Sequence, residues 1–186
     1  MKPDLLTGKL VRLGAVDIEE MAEAVSKWSQ DSEYWRLLDT GATQPYSPRQ
    51  TRKWFEDMFT EDSPNNYYFA IRTFSGDHLI GDIGLDGIRW NQAETFVGIG
   101  IGERDYWGKG YGTDAMEIIL RFAFNELNLA RVSLDVFEFN PRAVRSYEKA
   151  GFTYEGRVRQ YLNKAGKRWD LIYMGITREE WQSKSF

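Results

Sequence analysis

The spacing of apolar residues along this chain switches between a period near two and a period near 3.6, and each switch predicts an element boundary. Lys9 to Leu13 reads as a short strand with Leu10 and Val11 turned inward. Asp17 offers an N-cap for a helix that carries Ile18, Met21, Val25 and Trp28 on one face. Residues 30 to 47, with turn formers Gly41 and Pro45, read as irregular. Ser47 followed by Pro48 starts a second helix, with Trp54, Phe55, Met58 and Phe59 as its apolar face. Tyr67 to Arg72 and His78 to Leu85 have hairpin spacing around Ser75, Gly76 and Asp77; Ile88 to Trp90 extend the second strand, and a third follows at 94 to 101.

The rest of the chain is organised around residues 95 to 124. Gly98, Gly100 and Gly102 fall on one face of the strand, which leaves room for something to lie against its backbone. Gly108, Gly110 and Gly112 then crowd a loop that opens a helix of about five turns, with Met116, Ile119, Leu120, Ala123, Phe124 and Leu127 as its apolar stripe. Glycine permits positive φ and close approach to the backbone. The first N–H groups of a helix, aided by its dipole, then favour an anion. A phosphate-bearing ligand is expected here. A strand at Arg131 to Phe137, a helix between Asn140-Pro141 and Gly151, strands at Phe152 to Gln160 and Arg168 to Ile176, and a Thr177/Glu180 capping box follow. The order is βααβββαβαββ with a short last helix.

Composition narrows the chemistry. The 186 residues suit one domain, 1–186. With no cysteine, disulfides, thiolate metal sites and a cysteine nucleophile are excluded; with His78 the only histidine, no histidine triad or zinc site can be built, and no metal is expected. The start MKPDLLTGKL offers only two adjacent leucines, and no apolar run approaches membrane-spanning length, so a soluble, cytoplasmic protein with no membrane partner is expected. A net charge of −4 argues against nucleic acid as partner and tolerates cationic amines. The aromatic residues concentrated before the glycine loop, Trp28, Tyr34, Trp35 and Trp54 among them, read first as core and second as a substrate pocket.

Three phosphate-binding patterns compete for the loop. GxxxxGK[ST] fails, because Glu103 stands where its first glycine is needed and Gly110 where its hydroxyl residue is. GxGxxA matches at Gly110, Gly112 and Ala115, with Asp135 twenty residues further on as a ribose ligand. Its strand, however, ends near Gly102 instead of turning straight into the helix, which makes a dinucleotide the lesser reading. The third pattern, [QR]xxGx[GA], fits Trp107, Gly108, Lys109, Gly110, Tyr111 and Gly112 except at its first place, where tryptophan replaces Gln or Arg. A second block, Asn140, Pro141, Ala143, Tyr147, Glu148, Lys149, Gly151 and Phe152, matches NxxAxxxYEKxGF. In these two blocks the chain resembles the GCN5-related N-acetyltransferases (GNAT superfamily), and YWGKGYGTDA resembles the branch that includes ribosomal-protein N-terminal alanine acetyltransferases.

The resemblance implies an α+β fold: a mixed, mostly antiparallel seven-stranded sheet with helices on both faces and a central, splayed parallel pair, here 94–101 and 131–137. Acetyl-CoA is the implied co-substrate, its pantetheine arm entering the splayed gap, with the first two helices flanking the acceptor groove. The implied cofactor-binding residues are Ile99, Gly100 and Ile101 on the strand, Trp107, Gly108, Lys109, Gly110, Tyr111, Gly112 and Thr113 in the loop, and Asn140 and Ala143 beyond it. Tyr147 is the implied general acid. The place of the family's usual glutamate is filled by Thr95, Phe96 and Val97, which leaves Glu94 as the nearest carboxylate base, with Asp82, Asp86 or a water chain as alternatives. The implied reaction is direct transfer of acetyl to a primary amine. A protein N-terminal α-amine, of pKa about 8 against about 10.4 for lysine, suits a weakly supplied base. A small-molecule amine (polyamine, amino sugar, amino acid or antibiotic) or a non-catalytic CoA-binding module are the alternatives, and a homodimer is one assembly open to the chain.

Overall fold

The computed structural model describes residues 4–59 and 65–184; Met1 to Pro3 of the N-terminal stretch read above lie outside them. The elements are β1 (Val11–Gly14), α1 (Ile18–Trp28), α2 (Ser32–Leu38), α3 (Pro48–Phe59), β2 (Tyr67–Thr73), β3 (Leu79–Arg89), β4 (Glu94–Ile101), α4 (Tyr111–Arg121), β5 (Arg131–Phe137), α5 (Pro141–Ala150), β6 (Thr153–Lys164), β7 (Lys167–Thr177) and α6 (Arg178–Ser183). The seven strands form one sheet in the order β1-β2-β3-β4-β5-β7-β6. All neighbours pair antiparallel except β4 and β5.

That parallel pair is short. Glu94, Thr95 and Phe96 face Arg131, Val132 and Ser133, and pairing stops there. β4 stays paired with β3 as far as Ile101, while β5 stays paired with β7 as far as Phe137. The two strands therefore diverge for the rest of their length, and a row of peptide groups on each lip is left without a strand partner.

Alternation along the strands feeds two cores, one on each face. Ile71, Ile83, Leu85, Val97, Val132 and Leu134 pack with Met116, Ile119 and Leu120 of α4. On the opposite face Ala70 packs with Met21, Val25 and Trp28 of α1, Tyr34 and Trp35 of α2, and Phe55 of α3. The N-terminal aromatics are thus mostly core.

Two readings of the pattern need correction. Val11 and Leu13, not Leu10, are buried in β1; Leu10 is 36% exposed. The cause is Asp114, a buried carboxylate on α4 that accepts the N–H groups of Lys9, Leu10 and Val11 at 3.0, 2.8 and 2.9 Å. The stretch read as irregular contains α2, capped by Asp31, which accepts from Glu33 N and Tyr34 N. Asp31 is an ordinary N-cap signal, masked by the turn formers that follow. The helix of residues 111 to 126 also departs from a uniform α-helix, since Phe122–Glu126 is a π turn closed by Leu127 N to Phe122 O at 3.1 Å.

Candidate active site

Between the diverging strands lies a cleft of about 850 Å³. One side is main chain. After Ile101 a 3-10 turn, Arg104–Tyr106, carries the chain outward before α4 begins, which removes the strand-to-helix turn that the dinucleotide pattern requires. Gly108 and Gly110 then adopt φ of 70° and 93°, where a side chain is strained. Gly110 is the N-cap of α4 and supplies no side-chain cap, so the first N–H groups of the helix face the cleft unoccupied by protein side chains. A Cβ on Gly112 meets only ordinary contacts, Ile101 at 3.7 Å and Ser146 at 3.9 Å. The protein does not need that glycine for its own packing.

The alternating glycines of β4 divide in the same way. A Cβ on Gly98 points into open space, whereas one on Gly102 would stand 1.9 Å from the Trp28 ring. Gly98 leaves room in the cleft; Gly102 leaves room for the core. Gly100 lies between these cases, 2.9 Å from the Tyr34 hydroxyl and 3.4 Å from Asp82 Oδ1 as measured from its would-be Cβ.

Most residues implied by the resemblance line this cleft: Ile99, Gly100 and Ile101 on the strand, Trp107, Gly108, Gly110, Gly112 and Thr113 around the loop, and Asn140, Ala143 and Tyr147 on α5 and its cap. Asn140 accepts from Ala143 N and so starts α5, while Thr113 and Ser146 hydroxyls meet at 2.8 Å and tie α5 to the start of α4. Lys109 and Tyr111 are not on the wall; Lys109 is exposed and Tyr111 packs edge-on against Tyr106. Glu94 is away from it too. It sits where β4 and β5 are still paired and forms an ion pair with Arg89, which sets it apart from the cleft where the resemblance would have the base.

Tyr147 sits on the cleft wall with its ring edge-on to Phe152 and its hydroxyl without a hydrogen-bond partner among the described residues. Burial, and then the charge of Asp135, push its pKa up to about 12. On β3, opposite Gly100 and behind the cleft wall, burial pushes the Asp82 carboxyl up to about 6, partly offset by the hydrogen bond it accepts from the Tyr68 hydroxyl. Burial and the Asp82 charge in turn hold Tyr34 protonated. Asp82, Asp86 and the glycines share one sheet face by register, Asp82 opposite Gly100 and Asp86 opposite Phe96. Asp135 alternates with the buried Leu134 and Val136 and lies on that same face, its pKa raised by burial. Sequence reasoning missed Lys9 and Arg142 as wall residues and offered Tyr34 only in its second reading, as part of a substrate pocket. For Tyr34 the Asp31 cap was the available signal.

Residues 10–153 match the family model for the acetyltransferase (GNAT) domain. The chain belongs to the GNAT acetyltransferases. Among curated relatives of this N-acetyltransferase, the SPbeta prophage-derived uncharacterized N-acetyltransferase YokL of Bacillus subtilis (strain 168) is 31% identical over 95% of this chain and 94% of its own. The uncharacterized N-acetyltransferase YnaD of the same strain is 34% identical over 86% and 89%. Among solved structures, the spermidine N-acetyltransferase from Vibrio cholerae in complex with CoA and spermine superposes with a TM-score of 0.79 at 21% identity, covering 92% of this chain and 98% of that one. A GNAT acetyltransferase from Bacillus anthracis gives 0.77 at 20% identity, over 94% and 98%. The fold is the GNAT fold, the enzyme an N-acetyltransferase, and the family's acyl donor is acetyl-CoA. These relatives do not confirm the narrower resemblance to ribosomal-protein alanine acetyltransferases.

Proposed function

We propose that the chain transfers acetyl from acetyl-CoA directly to a primary amine of a small cationic molecule of the polyamine class, with no covalent enzyme intermediate. The observation that carries this reading is the parting of β4 and β5 after Phe96, beside an uncapped helix start and with Tyr147 in the same gap. Asp86 and Asp135 line the cleft on the Gly98 face, a carboxylate-rich approach that favours an acceptor keeping further positive charge near its reacting amine. The spermine bound by the Vibrio cholerae enzyme supports an acceptor of that kind.

In this reading peptide N–H groups around Ile99 to Ile101 polarise the thioester carbonyl. Asp82 is the base, receiving the amine proton through the Tyr34 hydroxyl or a water beside Gly100. Tyr147 meets the departing sulfur. A thiol of pKa about 8.5 is a stronger acid than a tyrosine near 12. Full proton transfer from Tyr147 is therefore uphill, and its contribution is a hydrogen bond that stabilises the thiolate while the amine's proton reaches the sulfur by exchange.

One observation favours a second acceptor, the protein N-terminal α-amine. A base near pKa 6 deprotonates an amine of about 8 more readily than one of about 10. Thiol release from acetyl-CoA separates the two. Spermidine and spermine should be turned over well ahead of Ala- and Ser-starting peptides; turnover of the peptides alone transfers the assignment to the second acceptor, and no release with either class removes both.

A further inference from the structure

Arg142 is a cation on the cleft wall for which acetyl transfer, as described, has no use. It is the second residue of α5, immediately beyond the end of β5, and its guanidinium lies across the cleft mouth over the Trp107 ring, 3.8 Å from the centroid. Trp107 is itself fixed, for its Nε1 donates to the carbonyl of Ile101, the last residue of β4, at 2.6 Å. The contact thus bridges the two lips of the opening where β4 and β5 stand apart.

The charge of Arg142 differs from that of its neighbour. Arg104 packs on the same ring at 4.9 Å, but Asp31 and Glu33 neutralise it. Arg142 has no carboxylate in ion-pair range among the described residues. Its burial disfavours the charge, Glu33 offsets that at longer range and Arg104 adds to it. An aromatic face holds a guanidinium in position without cancelling its charge. Pinned, partly desolvated and un-neutralised, this guanidinium stands at the same cleft mouth as helix N–H groups that no side chain caps. Both features call for an anion.

The geometry points to Arg142 as a direct ligand of the CoA diphosphate, brought from α5 to the loop and held there by Trp107 as a positioning residue. This rests on the acetyl-CoA reading above. Trp107 occupies the first place of the loop pattern, so the loop contributes the platform and α5 the cation. Arg145 and Lys149, further along α5, also line the cleft but are exposed and have no such platform.

Calorimetric titration of the full chain with CoA, dephospho-CoA (no 3′-phosphate) and pantetheine (no diphosphate) tests the assignment. Wild type should bind CoA; if it does not, the acetyl-CoA reading falls and the inference with it. Arg142→Ala should weaken CoA and dephospho-CoA equally, by about 10- to 100-fold, the scale of one charge-assisted hydrogen-bonded contact, and leave pantetheine unchanged. Arg142→Lys, which keeps the charge and loses the fork, should fall between. Trp107→Leu should cost about 3- to 10-fold, Trp107→Phe less, and Trp107→Leu should add little in the Arg142→Ala background. Wild-type CoA affinity in Arg142→Ala overturns the inference. So does a loss confined to CoA, which assigns Arg142 to the 3′-phosphate, and so do fully additive losses, which separate Trp107 from Arg142.

Discussion

The two walls of the cleft are made of different material. The wall assigned to the cofactor in the proposed reading is main chain: strand peptide groups that lost their partner after Phe96, and a helix start whose cap is Gly110 at φ 93°. The wall assigned to the acceptor in the proposed reading is side chain, with Tyr34 from α2, Asp86 from β3 and Asp135 from β5, and behind it Asp82 of β3 accepts from the Tyr68 hydroxyl of β2. A main-chain site must be encoded where it stands, because only glycine at fixed spacing yields its backbone angles and leaves its surface bare. A side-chain site has no such constraint, and its residues lie wherever the sheet brings them together.

The sharpest way to break this contrast is through two glycines that look alike in the sequence. Gly112→Ala adds a methyl group to ordinary contacts with Ile101 and Ser146, so folding should be unaffected, yet the group stands in the cleft. CoA affinity should fall by about 10³-fold, the loss of two charge-assisted hydrogen bonds, with an unchanged urea midpoint. Gly102→Ala instead drives a carbon into the Trp28 ring. Overpacking of that kind costs about 3 kcal/mol, a fall in Tm of roughly 6–12 °C at this chain length, with CoA affinity little altered in the molecules that fold. If both variants lose binding and stability together, the division between ligand-facing and core-facing glycine is wrong.

The same contrast explains what could be read from the chain. The succession of strands along the chain and the glycine loop were legible, since alternation and glycine spacing are local, whereas the parallel pair was implied only by the family resemblance. Asn140 before Pro141, and Gly151 at φ 111°, bounded α5 without any tertiary information. Asp114 could not be read as the anchor of Lys9 to Val11, because its three donors lie more than a hundred residues away in sequence. Glu94 was chosen as base by nearness along the strand. Register separates the two carboxylates: Glu94 belongs to the closed end of the strand pair, while Asp82 belongs beside Gly100 through an antiparallel neighbour.

Tyr147→Phe probes the point where the walls meet. Turnover should drop by about 10²-fold, the low end for a group acting on the leaving atom, while CoA affinity stays within twofold of wild type, roughly 0.4 kcal/mol. Loss of CoA affinity in proportion to turnover would make Tyr147 part of the cofactor wall alone.

A smaller effect on turnover, with a distinctive pH signature, is expected at Asp82. Burial raises its folded pKa to about 6, above the ordinary aspartate value of about 3.9. A carboxyl raised in this way favours the folded state while it is protonated. That contribution is complete below pH 4, declines as pH rises through about 6, and is gone above, a change on the order of 3 kcal/mol. Asp82→Asn removes the titration and keeps an acceptor for the Tyr68 hydroxyl. The variant should therefore match wild type in stability near pH 4 and exceed it at pH 7 to 8, the difference opening between those values. Turnover should move the other way, falling by about tenfold because a base acting through Tyr34 or water gives less than one in direct contact, and the limb near pH 6 should vanish from the rate profile. Stability gained and turnover lost in one substitution is what a buried carboxylate kept for proton transfer implies. A variant that gains stability at neutral pH while retaining both full turnover and the limb near pH 6 leaves Asp82 a structural acid, and the acceptor wall without its base.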